Sequence, residues 1–90
     1  MDNMSISDLR LEIDAIDGEI ARLFRTRLLL VDAIGRKKRR EQLPVGDPQR
    51  EEEIIRRQEE VMSREDFAAY EGWMRSLFEI CRRRQEERIE

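Results

Sequence analysis

Hydrophobic residues recur at steps of three and four along the first 40 positions, which is the spacing of one face of an α-helix. The stripe consists of Leu9, Ile13, Ile16, Ile20, Leu23, Leu30 and Ile34. Two cations interrupt or extend it, Arg27 and Lys38. A positive charge on a core-facing helix surface is costly unless an anion meets it. The pattern therefore predicts a site for a negatively charged ligand.

The first helix is predicted over residues 6–40. Ser5 is followed three residues later by Asp8, a pair that resembles a capping box. About 34 helical residues give a rod of roughly 50 Å, whereas a compact 90-residue protein has a radius of gyration of about 12 Å. Since the remaining residues are too few to cover so long a stripe, we predict self-association, most simply as a twofold homodimer.

Two further helices complete a single all-α domain over residues 1–90. Asp47 as N-cap and Pro48 as first helical residue start a helix over about 48–62. Ser63 and Asp66 form a second capping box and start the third helix, about 64–88. The predicted inward face of the second helix comprises Ile54, Ile55, Gln58, Val61 and Met62. That of the third comprises Phe67, Tyr70, Met74, Leu77, Phe78, Cys81 and Gln85.

Composition excludes several classes of function. The net charge of −3 argues against nucleic acid as the main partner, and the basic runs 36–40 and 82–84 lack aromatic residues. We interpret both runs as charges on solvent-facing sides of helices. One cysteine excludes an intramolecular disulfide, and the lack of histidine excludes imidazole metal ligands and nucleophile systems based on histidine. The longest apolar run, 28–31, cannot span a bilayer.

Residues 1–7 contain neither the basic nor the apolar segment of a secretory signal. Together with the single cysteine, this favours a cytoplasmic protein without a membrane partner.

Several polar residues lie where they are unexpected. Gln85 extends the apolar stripe of the third helix, where its amide needs partners. Arg50 lies in the first turn of the second helix, where a cation opposes the helix dipole, so it suits a ligand anion or an acid. Its neighbours Asp47 and Glu51 are equally compatible with ordinary capping. Arg10 lies roughly 25 Å along the helix from Arg27, so it can share a ligand with Arg27 only across a dimer; a local pair with Asp14 is the alternative.

The segments Leu9–Asp17 and Pro44–Glu51, with Arg27 and Lys38 between them, closely resemble the all-helical class of chorismate mutase. The resemblance covers almost the whole chain and is weaker in the third helix. It implies an intertwined dimer of three-helix chains with two identical active sites. The implied reaction converts chorismate to prephenate in the synthesis of aromatic amino acids, without a cofactor or metal.

The resemblance also implies roles for the basic residues. Arg10, from the partner chain, would bind a substrate carboxylate together with Arg27. Lys38 would donate to the ether oxygen and to a carboxylate, and Gln85 would be the second donor to the ether oxygen. Arg50 would support the carboxylate site.

The remaining implied contacts lie on the other side of the substrate. Asp47 and Glu51 would face the ring hydroxyl. Cys81 stands where the family usually has a serine that contacts the ring carboxylate, and a thiol is a weak donor. In an alternative register Gln85 takes the serine position and Ile89 the glutamine position, which removes one ether donor. We prefer the first register because Gln85 then faces inward with Cys81.

Two other functions remain open at the level of the sequence. One is an isochorismate-pyruvate lyase on the same scaffold. The other is a non-catalytic helical dimerisation or regulatory module, which explains the apolar stripe but not the cations within it.

Overall fold

A computed structural model describes residues 1–87 as an arrangement of three α-helices, without a strand in that range. The helices are α1 (Ile6–Arg40), α2 (Pro48–Arg56) and α3 (Arg64–Glu87), and a 3₁₀ turn at Glu59–Val61 lies between α2 and α3. The predicted all-α fold class is confirmed. The predicted end of the third helix at residue 88, and Ile89 of the alternative register, lie outside the described residues.

The helix starts follow from side-chain capping. At the start of α1 the Ser5 hydroxyl accepts a hydrogen bond from the Asp8 backbone N–H at 3.0 Å. In return, the Asp8 carboxylate accepts one from the Ser5 N–H at 3.2 Å, which completes the predicted capping box. At the start of α3 the Ser63 hydroxyl accepts from the Asp66 N–H at 3.0 Å. Short polar residues thus satisfy backbone donors that have no partner within the helix.

The second helix is shorter than predicted, because it ends at Arg56 rather than near residue 62. The Gln58 N–H bonds to the Ile55 carbonyl at 3.1 Å, and the Val61 N–H bonds to the Gln58 carbonyl at 3.3 Å; these i→i−3 bonds tighten the chain into a 3₁₀ turn. Met62 is then extended, with φ −121° and ψ 152°. This change of pitch turns Val61 outward to 73% exposure, so its predicted inward position was wrong.

The chain divides into two compact units, Met1–Leu30 and Val31–Glu90. In the first unit the apolar stripe of α1 lies open to solvent. Ile13, Ile16, Ile20 and Leu23 are between 44% and 57% exposed. A single chain therefore leaves uncovered a surface whose removal from water would be favourable.

The second unit has a small apolar core between α2 and α3. Ile55 is completely buried, and Phe67, Met74 and Phe78 pack with it. Partly buried residues around this core are Ile54, Met62, Tyr70 and Leu77. The inward stripe predicted for α3 is thus confirmed, since each of its members is buried or half-buried. The core fixes the two helices that carry Arg50, Glu51, Cys81 and Gln85.

Within residues 1–87 no helix combines the length and the apolar character needed to cross a bilayer.

Candidate active site

Gln85 on α3 is anchored to the C-terminal part of α1. Its side-chain Nε2 donates a hydrogen bond to the Val31 backbone carbonyl at 2.9 Å, and its own backbone carbonyl accepts one from Arg39 Nη1 at 3.5 Å. An amide nitrogen has two N–H donors. The bond to Val31 therefore restrains one N–H of the Gln85 amide and leaves the second N–H to donate elsewhere.

Gly35 makes this approach of α3 possible. A Cβ atom built at Gly35 would lie only 3.2 Å from Gln85 Cγ, closer than ordinary van der Waals contact. Gly35 is itself buried. Glycine costs roughly 1 kcal/mol in a helix relative to alanine, and here the missing side chain is the space that Gln85 occupies.

We expect Gly35→Ala to separate stability from activity. The substitution favours the helix by about 1 kcal/mol, but the added Cβ must displace the Gln85 side chain and strain its bond to Val31. Stability should therefore change little, while the activity that depends on Gln85 falls severalfold. Thermal unfolding and turnover of the purified variant measure the two effects. Gly72→Ala on α3 is the matched control, because an added Cβ there meets nothing within 4 Å. Equal turnover in both variants would show that Gln85 tolerates the displacement.

Lys38 lies on the same face of α1 as the Gln85 contact. Val31, Gly35 and Lys38 follow one another at steps of four and three, so Lys38 is one helical turn beyond Gly35. Its side chain is half-buried, and no carboxylate within residues 1–87 forms an ion pair with it. A partly desolvated ammonium group without a protein anion suits an anionic ligand. Lys38 and the Gln85 contact thus share one face of α1.

A second polar contact joins α1 to α3 next to Gln85. Arg84 donates to both carboxylate oxygens of Asp32, at 2.7 and 2.9 Å. The Asp32 side chain is only 7% exposed and that of Arg84 28%. The hydrogen bond to Asp32 raises the pKa of Arg84 above its usual value. This two-pronged geometry is the strongest form of an arginine–carboxylate pair.

The start of α2 carries the predicted acidic residues. Asp47 caps the helix, and its carboxylate accepts from the Arg50 backbone N–H at 3.1 Å; the Asp47 and Arg50 side chains are both exposed. Glu51 is half-buried and pairs with Arg82 of α3 at 3.3 Å. Arg82 also pairs with Glu79, which lowers the pKa of that carboxyl group. Glu51 is therefore held against α3.

Gly46 marks the turn before α2. Its φ of +85° lies in the left-handed region, where residues with a side chain are strained. A Cβ there would also lie 3.1 Å from Arg82 Cδ. Glycine thus lets the loop pass close to the arginine that holds Glu51.

The structure corrects the interpretation of the run Arg82–Arg84 as a solvated surface. Arg83 does face solvent, with its side chain 70% exposed. Its two neighbours are half-buried and form ion pairs across helices, as described above. The sequence did not predict Asp32, Arg82 or Arg84 as part of the site. The signal for Asp32 was its position as the one carboxylate within the apolar segment 28–34.

Cys81 is buried one turn before Gln85 on α3. A free cysteine is among the most buried residue types and behaves as a small apolar side chain. Its burial agrees with that default expectation. Its role as a substrate contact stays a prediction.

The other two predicted arginines belong to the first unit, Met1–Leu30. Arg10 is exposed and Arg27 is half-buried. Arg10 and Asp14, both described, do not form the local ion pair that was the alternative explanation for Arg10. The sequence hypothesis of a substrate contact across a dimer therefore stays open for Arg10.

Known proteins resemble most of this chain. A family model described as chorismate mutase type II matches residues 9–86. The T-protein of Haemophilus influenzae is 45% identical over 47 residues, which cover 52% of this chain and 12% of that protein. The bifunctional chorismate mutase/prephenate dehydratase of Aquifex aeolicus is 46% identical over 50 residues, covering 56% of this chain and 14% of that protein.

The chain thus aligns with less than a sixth of the length of these relatives. No solved structure matches it significantly. Because the family model spans nearly all of α1 together with α2 and α3, the chain belongs to the chorismate mutase type II family.

Proposed function

We propose that the protein converts chorismate to prephenate, an isomerisation in the biosynthesis of phenylalanine and tyrosine. One ether C–O bond of the substrate breaks while a new C–C bond forms within the same molecule. The observation that carries the proposal is the half-buried Lys38, which has no carboxylate partner within residues 1–87 and lies on the face of α1 that the Gln85 side chain contacts. Membership of the chorismate mutase type II family supports the same reaction.

Lys38 and Gln85 act on the charge that develops during the reaction. As the C–O bond lengthens, negative charge grows on the ether oxygen. An ammonium group and an amide N–H that are already oriented stabilise this oxygen more in the transition state than in the ground state. Because the Gln85 amide is held by the Val31 carbonyl, little reorganisation is needed when the charge appears.

Arginines hold the two carboxylates of the substrate. Arg27, together with Arg10 of the second chain, binds one carboxylate, and Arg50 supports the carboxylate site. Such contacts restrict a flexible dianion to the compact shape in which the two reacting carbons meet. The reaction is unimolecular and requires no nucleophile, metal or redox cofactor.

The acidic residues of α2 face the opposite side of the substrate. Asp47 and Glu51 line the region of the ring hydroxyl, where carboxylate oxygens accept its hydrogen bond. The pairing of Glu51 with Arg82 supports this role, because it holds the Glu51 carboxylate in a defined position against α3. Cys81 packs against the ring carboxylate in place of a hydroxyl donor.

The active form in this proposal is a homodimer in the cytoplasm, with no nucleic acid or membrane partner. The exposed stripe of Ile13, Ile16, Ile20 and Leu23 supports the dimer, because a second copy would cover it. Two equivalent active sites follow, each completed by Arg10 of the other chain.

A continuous assay with purified protein tests the proposed reaction. We expect loss of chorismate and a stoichiometric gain of prephenate. The same preparation is then given isochorismate, on which a lyase would release pyruvate. Pyruvate release from isochorismate, without prephenate formation from chorismate, would show that the protein is a lyase and not a mutase.

Calorimetric titration separates an enzyme from a non-catalytic dimerisation module. A dicarboxylate mimic of the transition state should bind with measurable heat, at one molecule per chain. The Lys38→Ala variant is the matched control and should bind much more weakly. A chain that serves only as a dimerisation module would give no heat in either titration.

A further inference from the structure

We propose that the Asp32–Arg84 ion pair is a positioning device that orients Gln85 for catalysis. This inference rests on the proposed function, because it assigns to the pair an effect on the donor to the ether oxygen. Neither residue belongs to the set of predicted substrate contacts. The pair acts through its neighbours and has no contact with substrate in this scheme.

The residues of the two contacts are neighbours in sequence on both helices. Asp32 follows Val31, the residue whose carbonyl holds the Gln85 amide, and Arg84 precedes Gln85 itself. Two consecutive residues of α1 thus bond to two consecutive residues of α3. A slide or rotation of one helix against the other would disturb both contacts together.

The Asp32–Arg84 contact is also more restrictive in geometry than the Gln85–Val31 contact. Arg84 uses both Nε and Nη2 on the two carboxylate oxygens of Asp32, which restricts rotation as well as distance. By contrast, the single bond from Gln85 to Val31 restrains only one N–H of the amide. The paired hydrogen bonds between Arg84 and Asp32 therefore supply an orientational restraint that the single Gln85–Val31 bond lacks.

Burial of the Asp32 carboxylate also has an energetic cost. A buried ion pair is seldom a gain in stability over a well-packed apolar pair, because both charges lose their hydration. With its side chain 7% exposed, Asp32 is the one charged residue classed as buried among residues 1–87. Its place beside Gln85, rather than in the Ile55–Phe78 core, indicates a role in orientation.

The test removes the whole pair, since removal of one partner alone would leave a buried charge and endanger folding. The double variant Asp32→Leu/Arg84→Met should stay folded and helical. We expect its kcat to fall by roughly 10- to 100-fold with little change in KM, as for a donor misplaced by about 1 Å. Arg83→Met is the matched control from the same arginine run and should keep the parent kcat.

A thermodynamic cycle with Gln85→Ala decides whether the pair acts through Gln85. In the Gln85→Ala background, removing the pair should lower kcat by no more than about twofold, because the positioned group is already gone. Losses that multiply in the triple variant would overturn the proposal. A pair variant with a kcat within about twofold of the parent would also overturn it.

A spectroscopic measurement tests the inference independently of turnover. In the parent, the side-chain NH₂ signals of Gln85 should be shifted and should exchange slowly with water, because Nε2 is bonded to Val31. In the pair variant they should approach the signals of a free glutamine. Unchanged signals would refute the positioning role even if chorismate is converted. If chorismate is not converted by the parent, the proposed function fails, while these signals still decide the inference.

Discussion

In the Lys38→Ala variant the kcat for chorismate should be about 10²- to 10³-fold lower than in the parent, equivalent to roughly 3–4 kcal/mol of transition-state stabilisation. The loss follows from the removal of a half-buried cation that has no protein carboxylate to neutralise it within residues 1–87. KM should rise as well, because the same ammonium group contacts a substrate carboxylate.

Helix α1 should survive this change, since alanine is the best helix former. Circular dichroism of the variant should therefore match the parent. Lys37→Ala is the matched control, because Lys37 belongs to the same basic run but is exposed. We expect parent-like kinetics for Lys37→Ala. Parent-like kinetics for Lys38→Ala would remove the central assignment of this active site.

The second large effect is recovery of activity by mixing two inactive variants. Arg10→Ala and Arg27→Ala should each lose roughly 10²–10³ in kcat/KM, because a charge-assisted contact with a carboxylate is lost. When chains exchange freely, half of the dimers carry one variant of each kind. One of the two sites in such a dimer has an intact Arg10 and an intact Arg27. Mixing should thus restore about one quarter of the parent activity.

A double variant on one chain provides the complementary control. If Arg10→Ala and Arg27→Ala are combined in one chain and mixed with the parent, a mixed dimer has no intact site. Exchange should then halve the activity contributed by the parent chains. Native mass spectrometry confirms that exchange has occurred. After proven exchange, no recovery in the first mixture together with no loss in the second would show that each active site is built from a single chain.

The helices α1 and α3 were predictable because the spacing of their apolar residues has the period of an α-helix. Apolar steps of three and four locate α1 at residues 6–40, which are its bounds in the structure. The same periodicity locates the inward face of α3 from Phe67 to Gln85. Lys38 and Gln85 were found as polar residues on these faces, so the sequence itself marked them.

The end of α2 was not predictable in this way. The 3₁₀ turn at Glu59–Val61 depends on i→i−3 hydrogen bonds of the backbone. Such bonds do not change the spacing of apolar residues in the sequence. Val61 therefore fits the apolar face of a continued helix when only the sequence is considered. Its exposure became visible only with the backbone in place.

The cross-helix ion pairs were hidden for a different reason. Arg84 and Asp32 are 52 residues apart in sequence, so neither shows its partner locally. Arg82 and Arg84 are two positions apart, which directs them to different sides of α3. A run of three arginines therefore contains two interhelical contacts and one solvated charge, and composition alone cannot distinguish them.

The open stripe on residues 1–30 also has a consequence for how this protein behaves on dilution. In the proposed homodimer, side chains such as Ile16 and Leu23, more than half exposed in one chain, would be covered by the second chain. Specific activity should then depend on protein concentration and decline below the dissociation constant of the assembly. A substitution that lies far from the active site but weakens association would then lower the specific activity in a dilute assay. The same variant would show parent-like activity in a concentrated one.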